Sequence, residues 1–226
     1  MVAMTGKKQL NARILISAVI ISALLFLSGI YVGYSINREK LSYIESTINK
    51  ITSDIQNFQL EFLFLDVLGE NATCPLLADT LSEINKESYD IGTRLTSYGK
   101  EGEIQDYNEY VKTKKEYSRL LIGYWLLANK LKTSCKLEAN TIVYFFSKEC
   151  VTCDDQGFIL TYFKKDLGEK LLVFALDGDL DEPSIQVLKR HYNITSYPTL
   201  IVNGESYGRF LSKGELEDIL GIGRIS

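Results

Sequence analysis

Cys150 and Cys153, in the run Lys148-Glu149-Cys150-Val151-Thr152-Cys153-Asp154, are the side chains best spaced to do chemistry. Two sulfurs one helical turn apart can close a disulfide. They can also exchange one: the first thiolate attacks a partner's sulfur, and the second expels that partner intramolecularly. The same spacing is half of a zinc site. The chain has one histidine, His191, which argues against a Cys/His metal cluster, and its place near a predicted helix end suits a surface role. Copper delivery by the two thiols lacks a nearby Met or His. No metal and no cofactor is assigned.

The flanking residues must hold the pair. Ile142 to Phe146 is an unbroken apolar, β-branched and aromatic run. It suits a strand buried on both faces. Ser147 to Glu149 is a polar break, and residues able to form a helix follow Cys153. Cys150 is therefore expected at a helix start, where free N–H groups favour a thiolate.

A second stretch, Tyr192 to Glu205, reads YNITSYPTLIVNGE. With the Cys-x-x-Cys it resembles the thioredoxin superfamily, whose second signature is a cis-proline, Thr, a strand and an Asn-Gly turn. Tyr197-Pro198-Thr199, Leu200 to Val202 and Asn203-Gly204 match that order. The resemblance covers about residues 140–220. It implies Cys150 and Cys153 as the catalytic pair and redox disulfide. It also implies a cis-proline at Pro198 and a substrate-pairing backbone at Tyr197. The remaining segments fit: a strand at Leu171–Leu176, a helix at Glu182–Tyr192 with Pro183 in its first turn, and a strand at Ser206–Phe210. Ser212 caps a last helix over Lys213–Leu220, with Glu215 at the capping-box position. The order is a minimal βαβαββα thioredoxin-like α/β fold. The family's extra N-terminal strand and helix are missing.

The departures from that family bear on mechanism. Glu149 stands where thioredoxins have Trp, Val151-Thr152 where they have Gly-Pro, and Tyr144 where they have a buried Asp that moves the second cysteine's proton. No general base is assigned. Glu149, Asp154 and Asp155 crowd the pair with negative charge, which disfavours a thiolate. A less depressed Cys150 pKa and a relatively low reduction potential follow, leaning the chemistry toward reduction.

The rest of the chain anchors and spaces this segment. Ile14 to Ile36 carries no charge, enough for a helix across a ~30 Å hydrocarbon core. Lys7, Lys8 and Arg13 precede it without an acid, whereas Arg38 and Lys40 are interleaved with Glu39 and Glu45. The positive excess places the N-terminus in the cytoplasm and the rest outside. A cleaved signal peptide is the alternative, though the run is long and Leu27-Ser28-Gly29 is a poor cleavage site. Leu41, Ile44, Ile48, Ile51, Ile55, Phe58, Phe62 and Leu65 step by three and four, a coiled-coil pattern that Gly69-Glu70-Asn71 would end. A second helix is expected from near Pro75 to a turn at Gly99–Gly102, with Leu77, Leu81, Ile84, Ile91, Leu95 and Tyr98 on one stripe and Ser88 completing its rhythm. A third is expected from Glu103 to Lys132, with Tyr110, Tyr117, Tyr124 and Leu131 seven apart as core. Short joins suggest an antiparallel bundle or hairpin.

The organisation read from the sequence is a cytoplasmic N-terminus at 1–13, a transmembrane signal-anchor at 14–36, a helical bundle or spacer at 37–136 and a thioredoxin-like domain at 139–226. Cys74 and Cys135 bracket the helical hairpin and should meet as a structural disulfide outside the cytoplasm. The alternatives are two free thiols, or a resolving role toward Cys150 that no spacing supports. Asn71, in Asn71-Ala72-Thr73, is the glycosylation candidate. Asn193 fits better as a left-handed residue after a helix.

The net charge of −4 argues against a nucleic-acid partner. The implied function is a membrane-tethered extracytoplasmic thiol–disulfide oxidoreductase acting on protein thiols and disulfides. A reductase there needs a transmembrane electron donor. The alternative is a non-catalytic adaptor, its thioredoxin-like segment a binding module, with a homodimer through the helix at 41–65.

Overall fold

The computed structural model describes residues 12–61, 70–100 and 107–222. The chain divides into two compact units, Met1–Tyr43 and Ile44–Ser226. The described part of the first unit is the beginning of helix α1 (Ala12–Glu61). Within it, Leu15–Ser35 spans 21 residues and is long and apolar enough to cross a membrane. The charged residues Lys7 and Lys8 lie outside the described part, as does the Arg13 side chain.

In the second unit the rest of α1 packs with α2 (Glu70–Lys100) and α3 (Tyr107–Ser134). Glu45 lies beside Thr113, and Ile55 lies against Gly123, so α1 and α3 run in the same direction. Cys74 is bonded to Cys135, and Tyr117 donates to the Ser88 carbonyl at 2.9 Å, so α2 runs against α3. The Tyr117 hydroxyl sits over Gly92, where a Cβ would collide with it. Leu77, Leu81, Ile84, Ser88, Ile91 and Leu95 of the expected stripe are buried, and the Tyr98 side chain lies outside the described part.

Two boundaries of the helical segment differ from expectation, and the strand expected at Ser206–Phe210 runs Glu205–Tyr207. Helix α2 begins at Glu70, so Glu70 and Asn71 open it rather than ending α1, and Pro75 stands inside it. Proline's φ suits a helix anywhere, and near the start it forfeits one backbone hydrogen bond. At the other end α2 continues through Gly99 and Lys100; residues 62–69 and 101–106 lie outside the described part. The isoleucines Ile44, Ile48, Ile51 and Ile55 are buried inside this unit. These four residues of the expected seam at 41–65 pack against the chain's own helices, and the Leu41 and Phe58 side chains and residues 62–65 lie outside the described part.

The sheet contains β1 (Asn140–Phe146), β2 (Leu171–Asp177), β3 (Thr199–Val202) and β4 (Glu205–Tyr207), in the order β2-β1-β3-β4. β1 pairs parallel with β2 and antiparallel with β3, and β4 pairs antiparallel with β3. The β3–β4 link is the two-residue turn Asn203-Gly204, both with positive φ of 49° and 95°. That geometry matches the twist of a hairpin. Three further helices complete the unit: α4 (Cys153–Leu167), α5 (Pro183–His191) and α6 (Lys213–Leu220). Asn193, just after α5, has a φ of 50°. The Ser212–Glu215 capping box opens α6.

Alternate residues of the strands face opposite layers, as period-two geometry requires. Ile142, Tyr144, Leu200 and Val202 join Leu160 and Phe163 of α4 and Leu216 of α6. Val143, Phe145, Phe174 and Ile201 join Ile185 of α5 and the core of the helical segment. Tyr124 of α3 meets Phe174 edge-on at 4.9 Å. Residues 37–136 and 139–226, read apart in the sequence, therefore share one hydrophobic core from Ile44 onward. Helix α3 covers the sheet face that would otherwise lie open beside α5.

Candidate redox site

β1 is the inner strand between a parallel and an antiparallel neighbour, and its carboxyl end delivers the cysteine turn. Cys150 N–H donates to the Ser147 carbonyl and Cys153 N–H to the Cys150 carbonyl, each at 3.3 Å. Cys150 and Cys153 are joined as a disulfide with Cα atoms 5.4 Å apart. Cys153 is 6% exposed, Cys150 is half-buried, and Val151 between them is 93% exposed. The pair thus has one protected sulfur and one approachable sulfur. Helix α4 starts at Cys153, with Thr152 as an N-cap that makes no side-chain cap bond. Cys150, expected at the helix start, lies in the turn that leads into the helix, with Cys153 as the first helical residue.

Tyr144 is buried, and its hydroxyl donates to the Cys153 carbonyl at 2.6 Å. Burial, reinforced by the Asp154 carboxylate, pushes its pKa well above the usual phenol range. It is a neutral donor at physiological pH and cannot take a proton from Cys153. It pins the backbone that carries the protected sulfur.

Gln156, one turn further along α4, is fully buried. Its amide oxygen accepts from Leu211 N–H at 2.7 Å, and its amide nitrogen donates to the Leu211 carbonyl at 3.2 Å. This reciprocal pair fastens the start of α4 to the segment leading into α6. The sequence reading missed it, because a glutamine after two exposed aspartates looks like surface.

The Tyr197–Pro198 peptide bond is cis. Pro198 and Thr199 are buried, and the Thr199 hydroxyl donates to the Ser196 carbonyl at 2.7 Å. Tyr197 packs on the same apolar cluster as Cys150 and Cys153. Its hydroxyl donates to the Gly178 carbonyl at 3.3 Å. The structure thus gathers all four residues singled out for the site, Cys150, Cys153, Tyr197 and Pro198, around the carboxyl ends of β1 and β2 and the start of β3.

Glu149, Asp154 and Asp155 are exposed around the pair. Among the described residues no three His, Cys, Asp or Glu side chains are gathered as a metal site would need. Away from the pair, Cys74 and Cys135 form the second disulfide, with Cα atoms 5.5 Å apart. Asn71 falls in the first turn of α2, with its side chain outside the described part.

No family model matches the chain, and no curated protein matches it. Among solved structures it is similar to that of a malarial protein, at 23% identity over 37% of this chain and 94% of the other, with a TM-score of 0.33. It is also similar to thioredoxin-2, a component of the malaria parasite protein secretion machinery, at 24% identity over 37% of this chain and 82% of the other, TM-score 0.33. A third is chloroplastic thioredoxin z, at 20% identity over 42% and 85%, TM-score 0.34.

Proposed function

We propose that the chain is a membrane-tethered thiol–disulfide oxidoreductase of thioredoxin-like fold. In this reading its N-terminus is cytoplasmic and its redox segment works outside the cytoplasm. The observation that carries it is the Cys150–Cys153 disulfide at the end of β1, one sulfur approachable and one protected, on the same cluster as the residue before a cis-proline.

In the reducing direction, the Cys150 thiolate attacks one sulfur of a substrate disulfide. A Cys150–substrate disulfide forms, and the substrate's other sulfur leaves as a thiolate that takes a proton from water. The Cys153 thiol loses its proton to solvent, and its sulfur attacks the Cys150 sulfur. The Cys150–Cys153 disulfide forms and the second substrate thiol leaves. Two electrons pass from the dithiol to the substrate. Tyr197 and Pro198 line the side on which the substrate backbone would lie. The acidic surround of Glu149, Asp154 and Asp155 favours the thiol over the thiolate at Cys150. That holds the potential low and favours reduction, for which a transmembrane electron donor would recharge the pair. The adaptor alternative loses its main support, since Ile44, Ile48, Ile51 and Ile55 are committed within the chain.

Full-length protein in detergent tests this with a disulfide-bonded protein substrate. Cys150→Ser should abolish turnover, and Cys153→Ser should accumulate a covalent enzyme–substrate disulfide. Turnover that survives Cys150→Ser would end the reading.

A further inference from the structure

A buried ion pair joins the helical segment to the redox site: Lys114 of α3 donates to Asp177, the last residue of β2. Asp177 is 4% exposed and Lys114 19%. Such a pair gives α3 and the sheet little net adhesion, because desolvation offsets its attraction. Apolar contacts such as Tyr124 with Phe174 already supply that adhesion. What the pair fixes is a position, and the residues next to it show which.

Asp177 also accepts from Asp179 N–H at 2.9 Å. The Asp179 carboxylate in turn accepts from the Ser147 hydroxyl at 3.1 Å and from Lys148 N–H at 2.8 Å. Ser147 and Lys148 form the turn that ends at Cys150. Between the two aspartates, Gly178 donates its N–H to the Phe146 carbonyl at 2.8 Å. The Gly178 carbonyl accepts from Lys189 of α5 at 3.0 Å and from the Tyr197 hydroxyl at 3.3 Å. The Tyr197 ring lies so close over Gly178 that no Cβ fits there. The cysteine turn and the cis-proline turn therefore both hang from Asp177–Asp179, and α3 holds that loop through Lys114.

We propose that Lys114 is a positioning residue for the redox site: its ion pair with Asp177 sets the loop that orients both the Ser147–Cys150 turn and Tyr197. This rests on the thiol–disulfide reading above. It gives the helical segment a role in the chemistry beyond spacing the site from a membrane.

The test uses the full-length chain in detergent, reduced at the Cys150–Cys153 pair. Two readouts are taken: the rate of Cys150 with the small disulfide dithiobis(nitrobenzoate) across pH, and amide hydrogen exchange over residues 147–153. Lys114→Met should slow the thiol reaction about tenfold, the scale of a slightly misplaced reacting group. It should also speed amide exchange in the turn, and Lys114→Arg should restore most of both. The double variant Lys114→Met/Asp177→Asn leaves no stranded charge. It should remain slow, and it carries the test if the single variant fails to fold. A double variant that reacts and exchanges like the wild type would overturn the proposal. So would a folded Lys114→Met with unaltered rate and exchange. If the wild type shows no thiol exchange with a protein substrate, the functional reading fails instead, and the amide exchange still decides whether Lys114 sets the turn.

Discussion

The two disulfides span nearly the same Cα distance, 5.5 Å for Cys74–Cys135 and 5.4 Å for Cys150–Cys153, yet the proposed function gives them different work. The first closes residues 61 apart in sequence, the second residues 3 apart. In the chain-entropy model the long closure stabilises by about 4 kcal/mol and the short one by about 2 kcal/mol. The first ties the start of α2 to the end of α3, between helices whose packing already brings those ends together. The second sits in a turn ahead of α4, beside a residue 93% exposed. A bond that contributes little to the fold can open and close without unfolding it. On the proposed reading, loop length and exposure, more than local distance, separate a structural staple from an exchanging disulfide.

The strongest way to break this comparison is to remove each bridge. Cys74→Ala/Cys135→Ala should lower unfolding stability by about 4 kcal/mol, read from urea midpoints, with exchange through Cys150 retained. Cys150→Ser/Cys153→Ser should cost about 2 kcal/mol or less and lose all exchange. If the second pair proved the larger contributor to stability, the division of labour would be reversed.

A smaller effect is expected at Tyr144. Tyr144→Phe removes the bond to the Cys153 carbonyl and should cost about 1 kcal/mol. Because the buried hydroxyl stays protonated throughout the working range, the pH profile of exchange should keep its midpoint. A midpoint that moved with Tyr144→Phe would show that the hydroxyl takes part in the proton transfer.

The effect confined to alkaline pH lies at Lys164 of α4, at the β2 edge of the sheet where α4 meets α2. Its ammonium donates to Asn85 of α2 and to the Leu171 carbonyl, both at 2.8 Å. Burial lowers its pKa to about 8, partly opposed by Glu169. An unfolded lysine titrates near ~10.4, so between about pH 8 and 10 the unfolded state binds more protons and stability rises with pH. Below that window the charged, partly buried ammonium costs stability. Lys164→Met should remove this rise from the stability–pH curve.

Much of the redox segment was legible because local chemistry determines it. The Asn203-Gly204 turn, the Ser212–Glu215 capping box and the run Ile142–Phe146 each fix their element within a few residues. The heptad stripes of α1 and α2 were legible as buried faces. Periodicity does not say what buries them, and Ile44, Ile48, Ile51 and Ile55 lie in the chain's own core. Lys114, Gln156 and Asp177 were not legible as parts of the site. Each is an ordinary polar residue in sequence, and its partner lies 63, 55 and 63 residues away. Pro75 misled because it stands in the second turn of α2, where a proline forfeits one backbone hydrogen bond but does not end the helix.

The equilibrium reduction potential of the Cys150–Cys153 pair tests the central claim most directly. It would be measured in the full-length chain in detergent against glutathione or dithiothreitol buffers, with Cys74→Ala/Cys135→Ala as a control for the second disulfide. A reversible two-electron transition near about −250 mV or lower is expected on the proposed reading, in which the exposed carboxylates around the pair disfavour a Cys150 thiolate. A transition near about −120 mV would make the protein an oxidant and show that Glu149, Asp154 and Asp155 do not govern the thiolate. No reversible transition at all would contradict the redox reading itself.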